Sequence, residues 1–149
     1  MILKRMKRRH NSKDVFQFVD RCKKIRKDIS FGADIIAGFP TETDTMFENT
    51  YKLLRENEIS HLHIFPFSPK NNTPASRMPQ ISKSIIKKRA KILRVLGELL
   101  LKKVKSKLSL PREILIEELN SGLAIGYDQN YIKHKVPLVG VPVGEVIRV

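Results

Sequence analysis

Apolar side chains recur every three or four positions at Val15, Phe18, Val19, Cys22 and Ile25. This predicts a helix with those five residues on its buried face, capped by Asn11 or Ser12 and running to about Lys27. The next apolar stretch has a different period. Ala33 to Ala37 is a short continuous run, consistent with a buried parallel strand, and Gly38 and Pro40 stop it. Thr41 or Thr43 is placed to cap a second helix of about Asp44 to Asn57, with Phe47, Thr50 or Tyr51, and Leu54 facing inward. His61 to Phe67 alternates and is rich in β-formers, so it reads as a strand that Pro66 brings to an end. A polar, proline-bearing loop from Ser68 to Arg77 follows, with Asn71-Asn72 suited to left-handed turn positions. A long helix is then expected from about Ser82 to Lys107. Its wide apolar stripe comprises Ile85, Ile92, Leu96 and Leu99 together with Ile86, Leu93, Leu100 and Val104. Beyond Pro111, four short β-like runs at 113–119, 123–126, 131–136 and 143–149 are punctuated by glycine and proline, which predicts a small all-β appendage. So small a module is expected to lean on the rest of the chain or on a partner.

Strand–helix alternation with short connections implies an α/β class with parallel strands. Two such strands do not make a stable α/β domain by themselves, so further strands are expected upstream. The loop after the first strand is where α/β proteins place ligand chemistry.

Charge changes the picture at two places. The net charge is +14. Residues 1–27 carry 11 Lys and Arg against two acids, and residues 83–107 carry ten against one, while the remaining segments are slightly acidic. Such a distribution favours a polyanionic partner. It also fits solvated helix ends, since cations near helix C-termini complement the dipole. The one cysteine, Cys22, excludes a disulfide framework within the chain and a self-contained thiolate metal or cluster site. It lies on the apolar stripe and is read as core. The His61-x-His63 pair directs both rings to one face, but a metal would need a third ligand that the sequence does not indicate. No metal site and no catalytic residue is assigned. No apolar run approaches ~20 residues, and Met1-Ile2-Leu3-Lys4 lacks the apolar core of a signal peptide, so a cytoplasmic protein without membrane partners is expected.

Four stretches occur in a telling order: Leu3-Lys4-Arg5-Met6-Lys7-Arg8-Arg9, Asp34 to Thr43, Leu62 to Ser68, and Thr73 to Pro79. Together they resemble the C-terminal half of the radical-SAM tRNA methylthiotransferases, in particular the branch acting on N6-threonylcarbamoyladenosine-37. The resemblance covers about residues 2–105 strongly, and the tail is similar, more weakly, to that family's RNA-binding β module, TRAM. It implies the last two β/α units of a partial, TIM-like radical-SAM barrel over residues 1–108, followed by a small, incomplete TRAM-like module over 109–149. It also implies S-adenosyl-L-methionine and [4Fe-4S] clusters as cofactors, one cluster on three cysteines of an N-terminal domain and one on a Cys-x3-Cys-x2-Cys loop. Neither cysteine set is present here, so no cluster is expected to bind stably to this chain alone, and a separate chain would have to supply the cysteine-bearing half.

Carried over residue by residue, the resemblance makes Ile36, Gly38, Phe39, His63 and Phe65 the candidates for contact with the cofactor. Small Gly38 is expected to let a purine approach the backbone, and Glu42 to order the loop or cap a helix. Arg8, Arg9, Ser68, Lys70 and Arg77, with Lys87 and Lys91 of the long helix, are the candidates for contact with tRNA. The family usually has Arg-Pro-Gly-Thr where this chain has Lys70-Asn71-Asn72-Thr73, and the tail is shorter than a full TRAM module. Three readings stay open: the rear of a methylthiotransferase, a non-catalytic basic tRNA-binding module, and a non-functional gene remnant.

Overall fold

The computed structural model describes residues 2–108, 111–137 and 140–149. A short helix α1 (Ile2–Arg5) leads into α2 (Ser12–Ile25), β1 (Gly32–Ala37), α3 (Asp44–Glu56), β2 (His61–Pro66), a 3₁₀ turn (Pro74–Arg77) and α4 (Lys83–Lys107). Strands β3 (Glu113–Asn120), β4 (Leu123–Asp128), β5 (Lys133–Pro137) and β6 (Val146–Arg148) complete the chain. The architecture is mixed α/β with two small sheets and no closed barrel among the described residues. The expected boundary at 108/109 abuts residues 109 and 110, which lie outside the described residues.

Strands β1 and β2 pair in parallel, Gly32 opposite His61 through Ala37 opposite Pro66. Helices cover one face. Ala37, Leu54, Ile59, Ala90, Leu93, Leu96 and Leu100 form the core there, with Ala33, Ile35, Leu62 and Ile64 packed against it. The expectation of a fully buried strand is corrected, because alternate positions of β1 are exposed. With two strands and helices on one side, Asp34, Ile36, His63 and Phe65 face outward.

The helices begin where the capping chemistry puts them. Asn11 accepts from the backbone N–H of Lys13 and Asp14, and Asp14 accepts from the Asn11 N–H at 2.8 Å, a reciprocal cap for α2. Thr43, not Thr41, caps α3 by accepting from Met46 N–H. Ser82 caps α4 through Ile85 N–H. Two predicted apolar faces are rotated. Ile25 is 89% exposed and Phe18 is exposed, since α2 seats only Val19 fully. Phe18 instead meets Phe31 edge-on, with centroids 6.3 Å apart. On α4 the buried line is Ile86, Arg89, Ala90, Leu93, Leu96, Gly97 and Leu100, leaving Ile85 and Leu99 outside. Cys22 is half-buried rather than core.

The second sheet is antiparallel with strand order β5-β4-β3-β6. Ile114, Ile116 and Ala124 form its small core, with Val136, Val141, Ile147 and Val149 against them. It rests on the first part through Asn130, whose backbone carbonyl accepts from Ser30 Oγ at 3.0 Å and whose side-chain amide donates to the Asp28 carbonyl. This is the dependence expected of a module too small for its own full core.

Candidate functional site

The loop leaving β1 is held by a buried ion pair. Glu42 and Arg89 side chains are 5% and 6% exposed, with Oε2 and NH1 2.7 Å apart. The same Arg89 nitrogen donates to the Glu42 carbonyl at 3.0 Å, and the second nitrogen reaches Asp44 at 2.7 Å. Its guanidinium also lies 5.4 Å from the centre of the Phe47 ring. Glu42 accepts in addition from Gly38 N–H at 3.1 Å, which ties both ends of the loop to one carboxylate. Burial pushes the Glu42 carboxyl above its ordinary value, against the opposing pull of Arg89 and Gly38 N–H. Glu42 thus orders the loop, one of the two structural roles the resemblance implied for it.

Gly38 takes φ +76°, and a Cβ there would sit 2.5 Å from Ile86 Cγ1. The glycine is required by backbone conformation and by the close approach of α4. Gly38 and Phe39 are both buried in this chain, and Phe39 stacks edge-on against Phe67 with centroids 5.5 Å apart. In this chain the close approach that the small residue allows is that of Ile86 on α4. Ile36 and Phe65 are different. They are cross-strand partners, 37% and 51% exposed, on the uncovered face of the sheet. Asp34 and His63 pair one step before them on the same face and are also exposed. The Nε2 of His61 is buried without a partner among the described residues.

The candidate RNA contacts are spread out. Arg8, Arg9, Ser68, Lys70, Arg77, Lys87 and Lys91 are all exposed. The turn at Lys70–Thr73 places Asn72 at φ +63°, and Thr73 caps the 3₁₀ turn that carries Arg77. Part of the positive charge is spent internally. Glu58 meets Lys23 at 3.4 Å, Lys103 at 2.7 Å and Lys107 at 3.0 Å, which brings the ends of α2 and α4 together. Lys103 and Lys107 pull the Glu58 carboxyl down to about 2.

Sequence reasoning missed Arg89, hidden among the nine other cations of α4. Its signal was phase: it falls between Ile86 and Leu93 on the buried line. It also missed the polar cluster around Asp128 at the end of β4. There Asp128 pairs with Arg112, meets His134 Nε2 at 2.9 Å, and accepts from the backbone N–H of Asn130 and Ile132. Burial alone would raise Asp128, but His134, those backbone donors and Arg112 hold it below its usual range. Arg112 comes from a separate stretch sixteen residues away, while Asn130, Ile132 and His134 lie within six residues of Asp128.

Among the described residues no group of three His, Cys, Asp or Glu side chains is placed to hold a metal ion, and no helix is long and apolar enough to cross a membrane.

No family model matches the sequence. It is, however, 51% identical over 141 residues to the threonylcarbamoyladenosine tRNA methylthiotransferase MtaB of Rickettsia prowazekii, covering 91% of this chain and 32% of the relative. The protein of the same name from Thermotoga maritima is 39% identical over 153 residues, covering 97% of this chain and 33% of the relative. A tRNA-2-methylthio-N(6)-dimethylallyladenosine synthase of Bartonella henselae is 35% identical over 131 residues, covering 84% and 28%. The chain therefore spans about a third of the length of the curated relatives it matches.

Proposed function

The chain belongs to the tRNA methylthiotransferase family, and from that premise we propose that it is the rear of such an enzyme. In this reading residues 1–108 form the last two β/α units of a radical-SAM barrel, and residues 109–149 a TRAM-like module that adds to the grip on tRNA. The parallel β1–α3–β2–α4 order and the uncovered face of the sheet support the first part. The four-stranded antiparallel sheet supports the second.

The residues present do not fit an iron–sulfur cluster. Cys22 is a single half-buried thiol, and one thiolate does not replace three. No step is assigned to a cluster on this chain. S-adenosyl-L-methionine, when bound in an assembled enzyme, supplies the methyl group. Ile36 and Phe65 form an exposed apolar pair suited to an adenine ring, and His63 beside them offers a ring nitrogen to a ribose or amino acid group. Gly38 and Phe39 shape that wall from behind it. Methylthiotransfer requires a cysteine-bearing front part, in this chain's case contributed by other residues or another polypeptide. The assembled enzyme would work on cytoplasmic tRNA.

The observation that carries the tRNA contact is the set of exposed cations Arg8, Arg9, Lys70, Arg77, Lys87 and Lys91, none of which pairs with an acid among the described residues. Phosphate contacts of this kind give affinity that falls linearly in log–log with salt. Gel shifts with a tRNA transcript test it: replacing Lys87 and Lys91 together by alanine lowers the salt slope by about two. No shift at low salt overturns the reading. A second reading, a tRNA-binding module without chemistry of its own, is favoured by the lone cysteine. Anaerobic reconstitution with iron and sulfide tests what the two share, that this chain alone holds no cluster. A stable cluster spectrum from this chain alone contradicts both.

A further inference from the structure

Where the end of α4 meets the β4–β5 hairpin there is a cavity of about 290 Å³. Lys105, Arg112, Lys133 and His134 line it, with Asp128 as the one acid in the lining. That acid is already satisfied. Its Oδ1 accepts from the backbone N–H of Asn130 at 2.8 Å and of Ile132 at 3.1 Å. Its Oδ2 accepts from Arg112 and meets His134 Nε2 at 2.9 Å. A carboxylate has about four lone-pair sites, so none is left for a ligand. Lys105 and Lys133 form no ion pair among the described residues, and the lining keeps an excess of positive charge over Asp128. Such a cavity favours an oxyanion. The same hairpin turns an aromatic ring outward. Tyr131 is 76% exposed, although its backbone stands at φ +59°, a conformation that residues with side chains seldom adopt. Its ring centre lies 5.8 Å from that of Tyr127, and Lys133 Nζ lies 5.9 Å over the Tyr127 ring. Lys133 therefore borders both the cavity and the aromatic pair. Asn130, buried beside Tyr131, bonds to Asp28 and Ser30 and anchors the turn.

We propose that this hairpin seats one unpaired nucleotide of an RNA strand, its phosphate in the cavity and its base stacked on Tyr131. This rests on the RNA contact argued above and adds to it a place for a single splayed nucleotide. Three observations choose the ligand. The cations of the cavity face no free acceptor, which suits phosphate oxygens. The exposed ring beside them has no packing role that accounts for it, and an aromatic face of this kind stacks an unstacked base. A fully paired duplex keeps its bases inside the helix and has no use for the ring. The third observation is direction. Lys105 stands about five turns along α4 from Lys87, which places it on the side of the helix that carries Lys87 and Lys91. A strand that follows those cations for ~27 Å arrives at the cavity.

The test titrates the full chain into a labelled single-stranded RNA of seven nucleotides and reads fluorescence anisotropy over a range of salt concentrations. Tyr131→Ala is expected to weaken binding about tenfold without changing the salt slope, because stacking and not charge is removed. Tyr131→Phe is expected to bind as the parent does, since the stack needs the ring and not the hydroxyl, and it shows that the turn tolerates substitution. Lys105→Ala combined with Lys133→Ala lowers the salt slope by about 1.4, the share of two phosphate contacts on a single strand. On a fully paired RNA of the same strand length, Tyr131→Ala has no effect. Single-strand binding by Tyr131→Ala within twofold of the parent overturns the proposal, as does an unchanged slope in the double lysine variant. Displacement of the RNA by millimolar inorganic phosphate, with Tyr131→Ala silent, marks a site for a free anion and also overturns it. A silent Tyr131→Ala beside a tRNA shift that still depends on Lys87 and Lys91 removes this site and keeps the earlier reading. A heptamer that binds and responds to Tyr131→Ala, with no shift of the tRNA transcript, keeps the site and removes the tRNA reading.

Discussion

Replacing Arg89 by methionine isolates what the buried pair contributes. The methionine keeps most of the stem's packing on Phe47, so the loss is electrostatic. The Asp44 arm counts for little, because its side chain is 99% exposed and exposed pairs contribute ~0–1 kcal/mol. The Glu42 arm is different. Both side chains are almost fully covered, and removing one partner of a buried pair costs about 3–5 kcal/mol, chiefly by stranding the other charge. Gly38 N–H still donates to Glu42 in the variant and softens the penalty, so ~3 kcal/mol is expected at neutral pH. Against a total stability of ~5–15 kcal/mol for a typical domain, that is a large fraction. The pH dependence gives the sharper check. Glu42 is already raised by burial, and without Arg89 it rises further. A carboxyl with a raised folded-state value binds protons more readily folded than unfolded, so it stabilises at low pH and that contribution is lost as pH increases. The deficit of Arg89→Met relative to the parent should therefore be largest at pH 7 and shrink toward pH 5. Glu58 titrates in both proteins and drops out of the difference. Urea unfolding by far-ultraviolet circular dichroism at the two pH values measures it. Pairing the change with Glu42→Gln should recover more than half of the loss. A deficit below ~1 kcal/mol that is the same at both pH values would refute the reasoning.

The other expectations are smaller. Glu58, held down at about 2 by Lys103 and Lys107, contributes stability that is fully present above the ordinary carboxylate range and lost as pH falls toward 2. After allowing for solvent screening this is ~1 kcal/mol, and Glu58→Gln should flatten that acid limb in a series of melting curves. Gly38→Ala should cost ~2 kcal/mol, from the left-handed backbone and the contact with Ile86. Adding Ile86→Ala should not restore the backbone part, so a double variant as stable as Ile86→Ala alone would contradict it. Asn11→Ala removes the reciprocal cap of α2 and should lower stability by ~1 kcal/mol in chemical denaturation, with no loss if the cap is idle.

Every helix of eight or more residues and every strand was legible from period and punctuation, because α2, α3 and α4 each carry an apolar stripe and a Ser, Thr or Asn at the start. What was not legible is which part of each stripe is covered. Phe18, Ile25, Ile85 and Leu99 satisfy helical spacing as well as Val19 and Leu93 do, yet they are exposed. Covering depends on how the helix is rolled against the sheet, and a stripe wider than the contact leaves the roll undetermined. Arg89 settles the roll of α4. Its partners Glu42 and Asp44 stand more than forty residues away, so only the folded chain brings the three together. The same holds for Asn130 against Asp28 and Ser30, a junction spanning about a hundred positions. The family, by contrast, was legible because its signals are local runs rather than distant pairings.

The exposed face and the free edge of β1 have a common cause. Parallel sheets are stable when both faces are covered, and their strands are apolar throughout for that reason. Ile36 and Phe65 obey that rule in the sequence while standing largely uncovered in the fold. Ala33, Ile35 and Ala37 of the same strand are covered by helices, so the exposure is not a failure of the strand to find its core. The composition of β1 and β2 therefore matches a sheet with more strands around the same face. The amides of Gly32, Asp34 and Ile36 face the edge away from β2, and the groove beside them is lined by α1 and α2 as well as by α3. A strand entering there would satisfy the edge and begin to curl the sheet over Ile36 and Phe65, turning an exposed apolar pair into one wall of a pocket. On this argument, loss of edge pairing and loss of cofactor binding should travel together in any assembled enzyme.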